Sequence, residues 1–391
     1  MNLAESVEST FRKKFKEQPL LVRSPGRVNL LGEHTDYNKG YVLPAAIDKS
    51  IYFAIAQRDD RRCMVLAMDM NDEYEFSIDN LQKSNKEWPN YLMGVVDQFL
   101  KARYDLKGFN CVFGGDIPIG AGMSSSAALE AGLAFALNSL FELRIDNLSL
   151  VKFAQKAENE FVGVQCGIMD QYINIFGKQN NVLRIDCRSL ESKYYPFAFH
   201  SVSLVLFDSC VSHSLASSEY NRRREECSEG VAMINKNFPE VNSLRDVSAD
   251  MIQKYKDKMN ATIYRRCKYV VEENDRVLQA CGDLEKGDLK SFGTLMAKTH
   301  EGLSLDYEVS CKELDYLVEL VKDNPNVYGS RMMGGGFGGC TINLMENNHL
   351  EEISTIVAEK YKKKFQIDLK TYITSIGSGT TIITSKNHAP A

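Results

Sequence analysis

Apolar residues recur along this chain at two periods, and the order in which those periods alternate limits the folds open to it. Ile51, Phe53 and Ile55 alternate with Tyr52 and Ala54, and Met64, Leu66 and Met68 repeat that spacing of two, so both segments read as strands. Leu129, Leu133, Leu137, Leu140 and Phe141 then fall at helical spacing, as do Leu150, Phe153, Ala154, Ala157 and Phe161. Ile173 with Ile175, and Leu183 with Ile185, read as strands on either side of a turn at 178–181, and 202–207 reads as another strand. Helical spacing takes over beyond about residue 215. It runs through Ile263, Cys267, Val270, Asn274, Val277 and Cys281, then through Leu314, Leu317, Val318 and Val321. Strands return at 340–345 and 372–376, flanking a helix near 349–365. Strands with helices, then helices, then strand–helix–strand describe two α+β domains rather than one doubly wound sheet. A chain of 391 residues has room for both. The division is expected near 186–200, giving 1–195 and 196–391.

Charge narrows the function. Lys and Arg number 47 against 52 Asp and Glu, a formal net charge of −5. No basic excess is available to neutralise nucleic-acid phosphates or an acidic membrane surface, so neither is expected as a partner. No apolar run reaches the roughly 18 residues that span a bilayer. The opening MNLAESVESTFRKKF lacks the apolar stretch of a secretion signal, and a cytoplasmic protein is expected. The ten cysteines are never closer than 14 residues, and the six histidines are scattered. There is therefore no C-x-x-C pair and no Cys/His cluster, so the cysteines read as reduced core thiols and no structural metal is expected.

Three glycine-bearing segments offer chemistry. Gly334-x-Gly336-x-x-Gly339 matches the dinucleotide pattern formally, but a strand follows it where that pattern needs a helix. A hinge, or a loop that lets backbone approach a ligand, fits it better. The second segment, PIGAGMSSSAA (118–128), places glycines and three serines before the long helix that begins near Ala127. Small residues let backbone wrap a phosphate, serines cap the helix, and its N-terminus directs amides and partial positive charge outward. An ordinary serine-capped helix after a flexible turn reads equally well. No Lys follows the last glycine, which excludes a Walker A loop, and no H-R-D and D-F-G pair of the protein-kinase type is present. The third segment, SPGRVNLLGEHTDYN (24–38), packs one arginine, two carboxylates, a histidine and asparagines into a short stretch. Glu33, His34 and Asp36 suit hydrogen bonding to neighbouring sugar hydroxyls, although a solvated loop would have the same composition. The basic runs 222–224 and 362–364 read as solvated helix faces.

Residues 26–37 resemble the galactokinase signature, and GAGMSSSA resembles the phosphate loop of the wider GHMP kinase superfamily. MGGGFGGC (333–340) is similar to that superfamily's third motif, and CGIMDQ (166–171) and EYNRRR (219–224) read like galactokinase segments. The matches keep the family's order from residue 24 to 340, and the 27–37 segment is the most specific of them. The resemblance implies an N-terminal domain like ribosomal protein S5 domain 2 and a ferredoxin-like C-terminal domain, with the active site between them. It implies transfer of the γ-phosphoryl of ATP to the anomeric hydroxyl of D-galactose, with Mg²⁺ required, as the first committed step of galactose use by the Leloir pathway. Asp170 matches the catalytic aspartate and Arg27 the arginine beside it. Glu33, His34, Thr35, Asp36, Gly167 and Tyr220 match sugar-binding positions. Gly120, Ala121, Gly122, Met123, Ser124, Ser125 and Ser126 match the nucleotide-phosphate loop, Ser126 and Glu158 the magnesium ligands, and Trp88 a residue near the adenine pocket. Without the resemblance, Glu158 would pass as a solvated helix face and Trp88, the chain's single tryptophan, as core packing.

These roles suit phosphoryl transfer, which depends on positioning and on neutralising phosphate oxygens. A carboxylate can take the proton of a weakly acidic anomeric hydroxyl, and a neighbouring arginine favours its charged form. A monomer acting on galactose and ATP is expected. Two alternatives compete. A non-catalytic sugar and ATP sensor of the galactokinase-like kind would lack a dipeptide of the phosphate loop, but Ser126-Ala127 is intact here. A kinase for a related substrate, such as N-acetylgalactosamine, would keep the same motifs.

Overall fold

The strands and helices assemble around two separate sheets. The computed structural model describes residues 2–197, 199–212 and 216–383. In chain order the strands are β1 (Leu20–Asn29), β2 (Tyr41–Val42), β3 (Pro44–Gln57), β4 (Arg62–Ala67), β5 (Asp72–Ser77), β6 (Phe109–Gly115), β7 (Asn181–Asp186), β8 (Ser192–Pro196), β9 (Val202–Ser212), β10 (Val327–Met332), β11 (Gly338–Glu346), β12 (Lys370–Thr374) and β13 (Thr381–Ile382). The helices are α1 (Leu3–Phe15), α2 (Glu87–Lys101), α3 (Ser125–Leu140), α4 (Asn147–Lys156), α5 (Met169–Phe176), α6 (Ala216–Asn235), α7 (Ala249–Gln253), α8 (Ala261–Lys286), α9 (Leu289–Glu301), α10 (Lys312–Val321) and α11 (Leu350–Phe365).

The first sheet runs β13-β1-β3-β6-β4-β5, antiparallel except where β4 pairs with β6. Beside it lies a small sheet, β2-β7-β8. The second large sheet, β10-β11-β9-β12, is antiparallel throughout. This is the two-domain α+β architecture expected from the alternating periods. One feature lies outside the simple division at 195/196. After β12 the chain returns, and β13 pairs with β1 at the edge of the first sheet, Val22 opposite Ile382.

The core explains these choices. Phe53, Phe99, Phe109, Leu133 and Leu137 are fully buried between the first sheet and helices α2 and α3, each contributing about 2 kcal/mol of burial free energy. Helix α3 is apolar on nearly every side and is enclosed accordingly, starting at Ser125, two residues before the expected start. The expected strand at Ile173 and Ile175 is instead helix α5. Met169, Tyr172, Ile173 and Phe176 stand at i, i+3, i+4 and i+7, and that stripe packs with Ala131, Val151 and Ala154 of α3 and α4. The run 222–224 is only partly solvated. Arg222 is exposed, whereas Arg223 is buried and donates from Nε to Tyr307 O and from Nη2 to Glu308 O, both at 2.8 Å. Lys362, Lys363 and Lys364 are exposed in the last turn of α11, where positive charge suits the helix end. Among the described residues, no helix is long and apolar enough to cross a membrane.

Candidate active site

A register shift in β1 begins the site. Between Pro25 and Arg27 the pairing with β3 slips, and a bulge of this kind re-aims a side chain. Arg27 N donates to Met123 O at 3.1 Å, joining the strand to the phosphate loop. The Arg27 side chain is buried and forks onto Asp170, with Nε to Oδ1 and Nη2 to Oδ2, both at 2.7 Å. Its third nitrogen donates to Gly122 O. Burial works against the guanidinium charge, but the field and hydrogen bonds of Asp170 outweigh it and hold Arg27 above its ordinary range. Asp170 lies in the first turn of α5 and also accepts from the Ser124 hydroxyl. Ser124 therefore does not cap α3 as expected. Its backbone is left-handed, φ +58, and its side chain makes no cap.

Glu33, His34, Asp36, Gly167 and Tyr220 line one cavity of about 250 Å³ together with Arg27 and Asp170. Val164, Cys166, Met169 and residues 334–337 complete it. Glu33 accepts from Gly334 N (2.8 Å) and Arg331 Nη2 (3.0 Å) on Oε1, and from Asn29 Nδ2 (2.9 Å) on Oε2. Burial pushes the His34 imidazole down to about 4, so it is neutral. Its Nε2 faces Gly335 O at 3.2 Å, an acceptor only, so Nε2 carries the hydrogen and Nδ1 accepts from Tyr37 Oη at 2.7 Å. Burial and then the charge of Asp170 push the Asp36 carboxyl up to about 6. Gly167 packs directly on that carboxylate, and a Cβ there would collide with it. Thr35 lies outside the cavity lining. Its hydroxyl sits between Gly32 O (2.8 Å) and Tyr41 O (2.6 Å) and ties the loop together.

A second cavity of about 300 Å³ lies across the phosphate loop, lined by Ser125, Ser126, Leu129, Asp69, Trp88, Tyr91 and Phe113 among others. Trp88 donates from Nε1 to Asp72 Oδ2 at 3.0 Å and meets Phe113 edge-on, so it is both packed and part of the cavity wall. Gly120 and Gly122 take positive φ, +78 and +73, while the side chains of Ala121 and Met123 turn into the core. The backbone at 120–122 lies against Gly334 and Gly339, and of residues 120–126 Ser125 and Ser126 line the second cavity.

Glu158 lies buried in a single π-helical turn, Ala157–Val162, that follows α4. Such turns often shift a side chain out of α-helical register at a site. Its Oε2 accepts from Gln171 Nε2 (2.9 Å) and from Cys166 Sγ (3.3 Å), and Ser126 stands nearby. Glu130, one turn along α3 from Ser126, is completely buried beside Glu158, and its Oε1 has no hydrogen-bond partner among the described residues. These are hard oxygen donors of the kind magnesium takes. Among the described residues no three His, Cys, Asp or Glu groups converge to hold a metal unaided. An ion on Ser126 and Glu158 would therefore need further oxygens, as magnesium commonly finds on phosphates.

Sequence reasoning passed over Arg331, Glu130, Tyr37 and Tyr307. Glu130 had a legible signal, a lone carboxylate in SAALEAGLAFAL four residues after Ser126. Arg331 had a weaker one, a charge inside the strand YGSRM.

Two α+β units with a glycine-turned helix N-terminus separating two cavities have the architecture of a small-molecule kinase of the GHMP class. Models of the GHMP kinases N terminal domain and GHMP kinases C terminal match residues 90–178 and 280–363. The crystal structure of the Methanococcus jannaschii mevalonate kinase shares the fold at a TM-score of 0.62 and 18% identity, covering 92% of this chain and 99% of that one. Within the class, the model of the galactokinase galactose-binding signature matches residues 9–57. A galactokinase of Roseiflexus sp. (strain RS-1) is 44% identical over 356 residues, 91% of each chain. The structure of Lactococcus lactis galactokinase complexed with galactose matches at a TM-score of 0.93 and 32% identity, covering 98% of this chain and all of that one. The chain belongs to the galactokinase family.

Proposed function

We infer that the chain transfers the γ-phosphoryl of ATP to the anomeric hydroxyl of D-galactose, giving galactose 1-phosphate and ADP, with Asp170 and Arg27 at the point of transfer. The observation that carries this is the adjacency of the two cavities. Ser124 touches Asp170, in the wall of the first, while Ser125 and Ser126 line the second. A sugar in the first and a nucleotide in the second meet at this loop. Glu33, His34, Asp36, Gly167 and Tyr220 form the sugar side, and the carboxylates and neutral imidazole suit hydroxyl donors and acceptors. The loop 120–126 and the N-terminus of α3 form the phosphate side, with Trp88 in the wall of the nucleotide cavity.

Asp170 takes the hydroxyl proton on a carboxylate oxygen as the sugar oxygen bonds to the γ-phosphorus and the bond to ADP breaks. Arg27 orients that carboxylate through both of its oxygens. Ser126 and Glu158 would hold Mg²⁺, which would supply neutralisation of the phosphate oxygens. Both cavities are complete within one chain, so the reaction needs no second copy, and ten free thiols support a reducing, cytoplasmic setting. The test is product identity. Phosphorus NMR after incubation with ATP and galactose should show an anomeric phosphate, whereas a phosphate on any other hydroxyl would refute the assignment. Running N-acetylgalactosamine, arabinose, mevalonate and homoserine alongside separates galactose from the related substrates.

A further inference from the structure

Arg331 is the last charged residue of β10, in the second large sheet, and it is completely buried. An enclosed guanidinium is tolerated only when paired and hydrogen-bonded. Among the described residues, every hydrogen-bond partner of Arg331 outside its own strand belongs to the end of β1 or to the segment after it. Nε donates to Leu30 O at 2.7 Å, and Nη2 donates to Asn29 O and, at 3.0 Å, to Glu33 Oε1. Nη1 donates to Met332 O. One planar fork from the C-terminal half thus grips the chain where it leaves β1 and the carboxylate that follows.

A carboxylate offers about four acceptor positions. Glu33 fills two on Oε1, with Arg331 and Gly334 N, and one on Oε2, with Asn29 Nδ2. The open position lies on Oε2, in a residue of the sugar cavity. We propose that Arg331 is a positioning residue for sugar recognition: by occupying Oε1 it fixes the Glu33 carboxylate so that Oε2 presents a single acceptor to one sugar hydroxyl. The inference rests on the assignment of Glu33 to the sugar side. It makes sugar selection depend on a residue 298 positions away in sequence, and it gives Glu33 one hydroxyl to read.

Arg331→Lys keeps the charge but not the fork, and the three donors of one ammonium nitrogen cannot replace the four hydrogen bonds that the guanidinium spreads over three nitrogens. The KM for galactose should rise roughly 10-fold or more, the range expected when a charged hydrogen bond to substrate is misdirected. The KM for ATP and ADP binding followed by the fluorescence of Trp88, in the other cavity, should stay within about 2-fold, since distant sites are nearly independent. Glu33→Gln should also raise the galactose KM, and the double variant should be little worse than the more affected single one. If Glu33→Gln leaves the galactose KM unchanged, the assignment of Glu33 itself fails. If Glu33→Gln raises it and Arg331→Lys does not, only the role of Arg331 is overturned. Arg331→Gln, which keeps two N–H donors without the charge, is read the same way should the lysine variant not fold. Loss of sugar and nucleotide binding together, or failure of both variants to fold, makes Arg331 a core residue and also overturns the proposal.

Discussion

Asp170→Asn removes the negative charge at the junction of the two cavities while keeping side-chain volume. The carboxylate accepts both arms of Arg27 at 2.7 Å, and the Ser124 hydroxyl on Oδ2 as well. Asparagine keeps one oxygen, so one arm of the guanidinium must face an amide N–H₂ in either orientation. That loses one hydrogen bond to a charged group, about 1.5–3 kcal/mol of folding stability. The catalytic loss is larger, because an amide cannot take the proton of the attacking hydroxyl. Loss of a general base slows turnover ~10²–10⁴-fold, roughly 3–5 kcal/mol on the barrier. Three measurements separate these effects: ADP release at saturating substrates, thermal melting, and galactose titration by calorimetry. The expected result is a kcat lowered by that factor, a modestly lowered Tm, and a galactose Kd within about 10-fold of the parent, since the lost interaction belongs to the transition state. Arg27→Lys in the same background should add far less than it does alone, because it works through the carboxylate already removed. A kcat near that of the parent would take Asp170 out of proton transfer.

Three other outcomes follow from the site. Gly167→Ala places a methyl group against the Asp36 carboxylate and should raise the galactose KM about 10-fold or more while sparing the KM for ATP; an unchanged galactose KM would mean that Asp36 does not face the sugar. The Asp36 carboxyl, raised to about 6 from an ordinary value of 3.8, is protonated in the folded protein over a range where the unfolded chain is ionised, so its stabilising contribution is complete below 3.8 and is lost as pH rises through 6. Asp36→Asn should therefore raise the Tm of the empty protein at pH 7.5 yet weaken galactose binding, and a Tm that falls would contradict the burial. Glu158→Gln should raise the Mg²⁺ concentration needed for half-maximal turnover with little change in galactose affinity, and parental activity at limiting Mg²⁺ would return Glu158 to a structural role.

Much of this is legible in the sequence, and what is not has a physical reason. Strand β4 and helices α8 and α10 announce themselves because each buries a face at one clear period, and α3 does so by the length of its apolar run. Helix α5 does not, because it is buried on nearly all sides and its Ile173 and Ile175 mimic alternation. The two-residue β13 has no periodicity to detect and exists only through its pairing with β1. At the site, Asp170 is the one charge in the run GIMDQYINIF (167–176), and the loop 24–38 is marked by its density of polar groups. The side chains that hold that loop come from far along the chain. Glu273 of α8 accepts from Gly32 N at 2.7 Å, Asn274 from Tyr41 N at 2.8 Å, and Arg331 reaches Glu33. No local pattern encodes such contacts, since they form only when the two domains pack.

The measurement that bears most directly on the central claim compares galactose with glucose, its 4-epimer. Both are hexoses of equal size with an anomeric hydroxyl, so a cavity that merely admitted sugars would phosphorylate both. A cavity whose Glu33, His34 and Asp36 are directed at one hydroxyl pattern leaves buried polar groups unpaired when the 4-hydroxyl is inverted, a penalty that can reach ~10⁴-fold in kcat/KM. Galactose should be turned over well and glucose poorly, with the difference in kcat/KM collapsing when Asp36 is replaced. Equal kcat/KM for the two sugars would contradict the assignment of this cavity to galactose.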